Sequence, residues 1–188
     1  MTGFNMKYIK NGKFILTDSI IENAVLAFDN KICGFVDEIP ENAEVIDANG
    51  CYVAPGLIDV HIHGYLGEDT SDGNADGIFK MANGVMKNGV TSFCPTTMTV
   101  SMEEINNALN VVRSLKDKSK EWQGAEILGV NLEGPFINPK KKGAQAETHI
   151  KAPDAKFVID NSDIICLATM APEMDGGYEA IKEIRENR

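Results

Sequence analysis

The feature that most constrains this chain is a change of pattern at Ala54-Pro55-Gly56. Before it, short apolar runs are separated by polar turns. After it, apolar runs alternate with segments of helical period. Alternating strands and helices imply a parallel sheet, because a parallel crossover needs a dozen or more residues and a helix supplies them. The sequence therefore predicts a small β domain over residues 1–53 and an α/β domain over residues 54–188.

In the first part, Met6–Lys10 and Phe14–Thr17 flank Asn11-Gly12, a strong hairpin signal. Ala24–Phe28 and Ile32–Val36 flank the polar turn Asp29-Asn30-Lys31, and Val45–Ala48 and Tyr52–Ala54 surround Asn49-Gly50. Short strands at this spacing suit a small β-sandwich or sheet. In the second part, strands are expected at Leu57–Ile62, Gly89–Thr97, Ile127–Glu133 and Ile164–Met170. A helix over Ala75–Asn88 would bury Ile78, Met81, Ala82, Val85 and Met86. Ser101 and Glu104 form a capping box opening a second helix, with Ile105, Ala108, Leu109, Val112 and Leu115 inward. Tyr178–Arg188 reads as a last helix with Ile181 and Ile184 inward.

Four such units begin either a doubly wound sheet or a (β/α)8 barrel. No GxGxxG opens the first helix, which weakens a dinucleotide-binding reading. A barrel takes about 250 residues, and half of one would leave two parallel-strand edges open. Either more chain follows or the product is a truncated form; on the barrel reading, residues 54–188 are the first four β/α units of a (β/α)8 barrel.

The formal net charge of -10 disfavours nucleic acid and anionic membrane as partners. It leaves a phosphorylated small molecule open, since local cations and backbone N–H groups decide anion binding. Four cysteines without a CxxC pair fit reduced thiols, and the leading residues Met1–Lys7 lack the apolar run of a signal peptide. Cytoplasm is the expected location.

Two segments carry chemistry. In Gly56-Leu57-Ile58-Asp59-Val60-His61-Ile62-His63-Gly64, His61 and His63 share one face of a strand and close it. Alternate strand residues point the same way, so two imidazoles can meet one divalent ion. Barrels carry their active sites at that strand end. Asp59, on the same face, is a candidate acceptor orienting one histidine. In Gly129-Val130-Asn131-Leu132-Glu133-Gly134-Pro135-Phe136, Glu133 ends another apolar strand just before a Gly-Pro reversal. Imidazole with carboxylate suits zinc, with iron or another divalent ion as alternatives. Each segment also has a plain structural reading, as core histidines or a solvated loop glutamate.

The segment Pro55–Gly64 resembles the opening barrel strand of the amidohydrolase superfamily. Leu132-Glu133-Gly134-Pro135-Phe136, Lys141-Lys142-Gly143-Ala144-Gln145, Met170-Ala171-Pro172-Glu173 and the strand end Thr96-Thr97 are similar to the N-acetylglucosamine-6-phosphate deacetylase family in particular. The resemblance runs through the whole chain in order. It implies metal-dependent removal of acetate from N-acetylglucosamine 6-phosphate, giving glucosamine 6-phosphate. It implies Glu133 as the main metal ligand, His61 and His63 as the histidine pair, and Ala144 and Gln145 as sugar-contacting positions. Some members carry histidine where Gln145 stands. Two further histidine ligands and a general acid aspartate are expected beyond Arg188, since no histidine follows His149. A homodimer is implied by the resemblance alone. The run Lys140-Lys141-Lys142 could meet a sugar phosphate but more simply forms a solvated face.

Two rivals stand beside this reading. One is another amidohydrolase, a dihydroorotase-like or hydantoinase-like cyclic amidase or a deaminase, which would show a different sequence after the third strand. The other is a non-catalytic fragment that keeps part of a metal site.

Overall fold

The computed structural model describes residues 6–29 and 31–187. Met1–Asn5, the Asn30 tip of the second predicted hairpin and the final Arg188 lie outside the described residues. The chain divides into two compact units, Met1–Pro55 and Gly56–Arg188.

The first unit contains β1 (Lys7–Lys10), β2 (Lys13–Ile15), β3 (Ile20–Ile21), β4 (Val25–Phe28), β5 (Ile32–Val36), β6 (Glu44–Asp47) and β7 (Tyr52–Val53). They form two sheets, ordered β5-β4-β1-β6 and β3-β2-β7. The predicted hairpin at β4 and β5 forms, with Ala27 opposite Gly34. The one at Asn11-Gly12 does not: β1 and β2 belong to different sheets. The reason lies in a second corner, Asn49-Gly50, which runs beside the first. Gly50 N donates to Asn11 O at 2.7 Å, Ala48 N to Lys10 O at 2.9 Å and Lys13 N to Cys51 O at 2.9 Å. Each corner thus meets the hydrogen bonds of the other, and the parallel pairs β1–β6 and β2–β7 replace the hairpin. Tyr8, Phe14 and Ala27 are the buried apolar residues here, with Phe35 edge-on to Phe14 at 5.2 Å between ring centroids.

The second unit runs β8 (Leu57–Ile62), β9 (Gly64–Tyr65), β10 (Glu68–Asp69), α1 (Ala75–Met86), β11 (Val90–Pro95), α2 (Met102–Lys116), β12 (Glu126–Ile127), β13 (Val130–Glu133), α3 (Ala155–Asp160), β14 (Ile165–Thr169) and α4 (Gly177–Glu186). β8, β11 and β12 pair in parallel, as do β13 and β14, and a parallel bridge between Thr96 and Asn131 joins the two sets. The expected third strand, Ile127–Glu133, is therefore two pieces. The chain bends at Gly129, whose φ of 153° and closeness to the Ile164 carbonyl (2.7 Å from an added Cβ) leave no room for a side chain. β12 follows β11, and past the bend β13 follows β14.

Asn74 caps α1, and Ser101 with Glu104 caps α2 in the predicted box. Met86 departs from the expected stripe; it ends α1 and is 40% exposed. The short helix α3 carries no periodic signal in its six residues, and Asp154 caps it just after Pro153. Ile78, Met81 and Val85 of α1, Ile105, Leu109 and Val112 of α2, and Phe93, Ile127, Val130 and Leu132 of the strands form one core cluster. Val130 and Leu132 point into it, so strand alternation turns Asn131 and Glu133 to the opposite face. Ile62 packs against the same cluster, which turns His61 and His63 away from it. No helix among the described residues is long and apolar enough to cross a membrane.

Candidate metal centre

Strand parity brings the three predicted ligand side chains together. His61 Nε2 lies 2.5 Å and His63 Nε2 3.1 Å from Glu133 Oε2, and the two imidazole nitrogens are 3.2 Å apart. All three donor atoms fall within 4.8 Å of one another. His63 is fixed by the main chain just past β11: its Nδ1 is 3.2 Å from the Thr96 carbonyl. A carbonyl only accepts, so Nδ1 carries the hydrogen and Nε2 turns a lone pair toward Glu133. Glu133 Oε2 is buried and receives no hydrogen bond. Lone pairs facing one another at such distances repel unless a cation or proton stands among them. Two nitrogens and a carboxylate oxygen form a donor set suited to zinc or a similar divalent ion. The residues fit the group.

Asp59 does not orient an imidazole. Its Oδ1 accepts from the backbone amide of His61 at 3.1 Å, so it shapes the end of β8 and leaves the acceptor role to Thr96. Ala144 and Gln145, adjacent in sequence, part in the structure: Ala144 is exposed and Gln145 is buried. Lys140 and Lys141 are exposed, whereas Lys142 Nζ donates to the Gln145 carbonyl at 3.3 Å.

The sequence model of the amidohydrolase family matches residues 52–187. The chain belongs to the amidohydrolase family. This amidohydrolase is 33% identical to the N-acetylglucosamine-6-phosphate deacetylase of Bos taurus over 96% of its own length and 45% of the relative's. With the deacetylase of Bacillus subtilis (strain 168) it shares 33% identity over 95% of its length and 47% of the relative's. The crystal structure of the Pasteurella multocida N-acetylglucosamine-6-phosphate deacetylase superposes with a TM-score of 0.87 at 28% identity, covering 97% of this chain and 48% of that one. The chain thus spans about half the length of these relatives.

Three further residues of this amidohydrolase support the site, and of these Thr96 and Asn131 lie in segments that the sequence singles out. Thr96 Oγ1 accepts from Ile62 N at 2.9 Å and donates to Cys94 O at 3.0 Å, holding the end of β8 against β11. Asn131 Nδ2 reaches the Val60 carbonyl at 2.9 Å. The Thr99 amide donates to Gln145 Oε1 at 2.6 Å. A polar residue after a strand is common, and only the spatial partner reveals its use. Deeper in the unit, Cys94 Sγ and Cys166 Sγ lie 3.4 Å apart. Their contact pushes the Cys94 thiol up and brings Cys166 down to about 7.

Proposed function

We propose that this chain is the metal-binding part of an N-acetylglucosamine-6-phosphate deacetylase, releasing acetate and glucosamine 6-phosphate. On this reading residues 1–53 form a small β-sandwich domain, and residues 54–188 contribute the first four β/α units of a (β/α)8 barrel. The observation that carries it is the meeting of His61 Nε2, His63 Nε2 and Glu133 Oε2 at the ends of β8 and β13. The similarity to deacetylases across nearly the whole chain supports the substrate. The location that goes with this reading is the cytoplasm.

Glu133, His61 and His63 would hold the ion, zinc by the chemistry of the donors. When bound, a divalent ion supplies Lewis acidity, polarising the acetamide carbonyl and lowering the pKa of a bound water. Glu133 contributes the negative charge that retains it. Thr96 keeps the His63 lone pair aimed inward by accepting from Nδ1. Ala144 stands at the exposed rim of the loop after β13, where a sugar would enter, and Gln145 lies behind it. No residue of this chain is assigned the proton donated to the departing amine.

The test has two arms. Equilibrium dialysis of the purified chain against zinc should give bound metal that is lost in Glu133→Ala; equal zinc in that variant would count against the centre. Thermal unfolding with N-acetylglucosamine 6-phosphate, beside a cyclic amide such as hydantoin, should raise the midpoint with the sugar phosphate alone. A rise with the cyclic amide alone would favour the cyclic amidase.

A further inference from the structure

Gln145 sits in the loop after β13, yet is only 7% exposed. Every polar group of its side chain is engaged. Oε1 accepts from the Thr99 amide at 2.6 Å, and Nε2 donates to Glu133 Oε1 at 3.0 Å, with Met98 Sδ at 3.8 Å on the same nitrogen. The orientation of the amide follows from chemistry: a backbone N–H can only donate, so the oxygen must face Thr99 and the NH2 must face Glu133. The main chain is held as well, with Gln145 N donating to Lys142 O at 3.0 Å.

The two oxygens of Glu133 therefore have different partners. Oε1 is taken by Gln145, and Oε2 faces the two imidazoles without a donor. We infer that Gln145 is a positioning residue that assigns the oxygens of Glu133, holding Oε1 so that Oε2 alone joins His61 and His63 as a ligand. This rests on the metal reading above and goes beyond it, because it directs the Gln145 side chain to the carboxylate and not to the sugar. The terminal torsion of glutamate is broad and roughly two-fold, so an unheld carboxylate would turn and present either oxygen. A neutral amide suits this role because it supplies a donor yet leaves the full negative charge of Glu133 for the cation. A lysine there would cancel that charge.

The test measures zinc affinity of the full 188-residue chain by competition with a chromophoric chelator, and thermal unfolding of the same proteins in excess EDTA. The variants are Gln145→Met, which keeps the volume and removes the donor, Gln145→Asn, which keeps the amide one methylene short, and Glu133→Ala. Bonds to ligating carboxylates typically carry about 10–100-fold in metal affinity, so Q145M should bind zinc that much more weakly, with Q145N between it and wild type. A merely structural role would lower the midpoint in EDTA and leave zinc affinity unchanged. Zinc affinity of Q145M within about threefold of wild type, with E133A defective, overturns the inference and leaves the metal centre standing. Equal zinc binding by E133A and wild type, or none by wild type, overturns both. If Q145M does not fold, Q145N decides by the same measure.

Discussion

β8 and β13 both end on residues of the candidate centre, but they are held very differently. In β13, Val130, Asn131 and Leu132 are all buried, and the strand lies between β14 and the end of β11. In β8, Leu57 and Ile58 are each 60% exposed and Val60 is 49% exposed, and among the described residues the strand pairs with β11 alone. The carboxylate is presented from a strand packed on both faces, while the histidine pair stands on an edge strand. What steadies that edge is borrowed from its neighbours: Thr96 grips Ile62 and His63, and Asn131 grips Val60. A site assembled this way has one firmly held candidate ligand and two that depend on Thr96 and Asn131 of the adjoining chain segments.

The largest effect concerns turnover. On the proposed function both strands offer candidate ligands, yet no residue of this chain is assigned the proton for the amine, and loss of general acid catalysis typically costs about 10²–10⁴-fold. We expect the 188-residue chain with excess zinc to release acetate from N-acetylglucosamine 6-phosphate at least that much more slowly than a full-length relative. Turnover within tenfold of the relative, well under that cost, would mean that the catalytic groups lie within residues 1–188. Next comes metal affinity. A structural zinc site of four ligands binds with about 10–16 kcal/mol, so one ligand is worth on the order of 3 kcal/mol. Glu133→Ala should lose roughly that in zinc binding, and His61→Ala less, since His61 sits half-exposed on the edge strand. Isothermal titration of the two variants would break the comparison if His61→Ala proved the more damaging.

Packing gives a similar test without metal. Leu132 is fully buried, so Leu132→Ala should cost about 2–5 kcal/mol in urea unfolding. Val60 is half-exposed, so Val60→Ala should cost under about 1 kcal/mol. Equal costs would show that β8 is as well packed as β13 and that the contrast drawn from exposure is false.

The difference between these strands also explains what can be read from the sequence. His61, His63 and Glu133 are legible because period two and strand ends are local properties; the register of β8 and β13 then does the rest. The helices α1 and α2 are legible from their apolar stripes and caps. What is not legible depends on partners distant in the chain. Asn11-Gly12 carries a hairpin signal, but only the neighbouring Asn49-Gly50 corner decides that the strands part. The third strand reads as one apolar run, and Gly129 breaks it because the Ile164 carbonyl approaches there. Asp59 is the near candidate for orienting a histidine, whereas the acceptor used is the main chain of Thr96, which no residue type announces. Resemblance marks Gln145 as a sugar contact, while its burial and its hydrogen bonds to Thr99 and Glu133 depend on partners that the sequence does not announce.

The smallest expected effect probes the rigid side of the comparison. Cys94 of β11 and Cys166 of β14 come from the strands that flank β13, and their sulfurs meet at 3.4 Å. The first cause of the low Cys166 value, about 7 against an ordinary 9.0, is the hydrogen bond from Cys94, and the main opposing effect is burial. The native state thus favours the Cys166 thiolate. The sign follows by linkage: this contribution to stability is present above the unfolded value near 9.0 and is lost as pH falls through about 7. Site-resolved alkylation by iodoacetamide, read by peptide mass, should show Cys166 reacting with a midpoint near pH 7, about two units below the ordinary thiol value of 9.0. In Cys94→Ala the donor is gone while burial remains, so the midpoint should rise to the ordinary thiol range or above it. The shift requires that β11 and β14 hold the two sulfurs in register across β13. A Cys166 midpoint that ignores Cys94→Ala would mean that the strands around Glu133 move enough to part the thiols, and the rigidity assigned to β13 would fail with it.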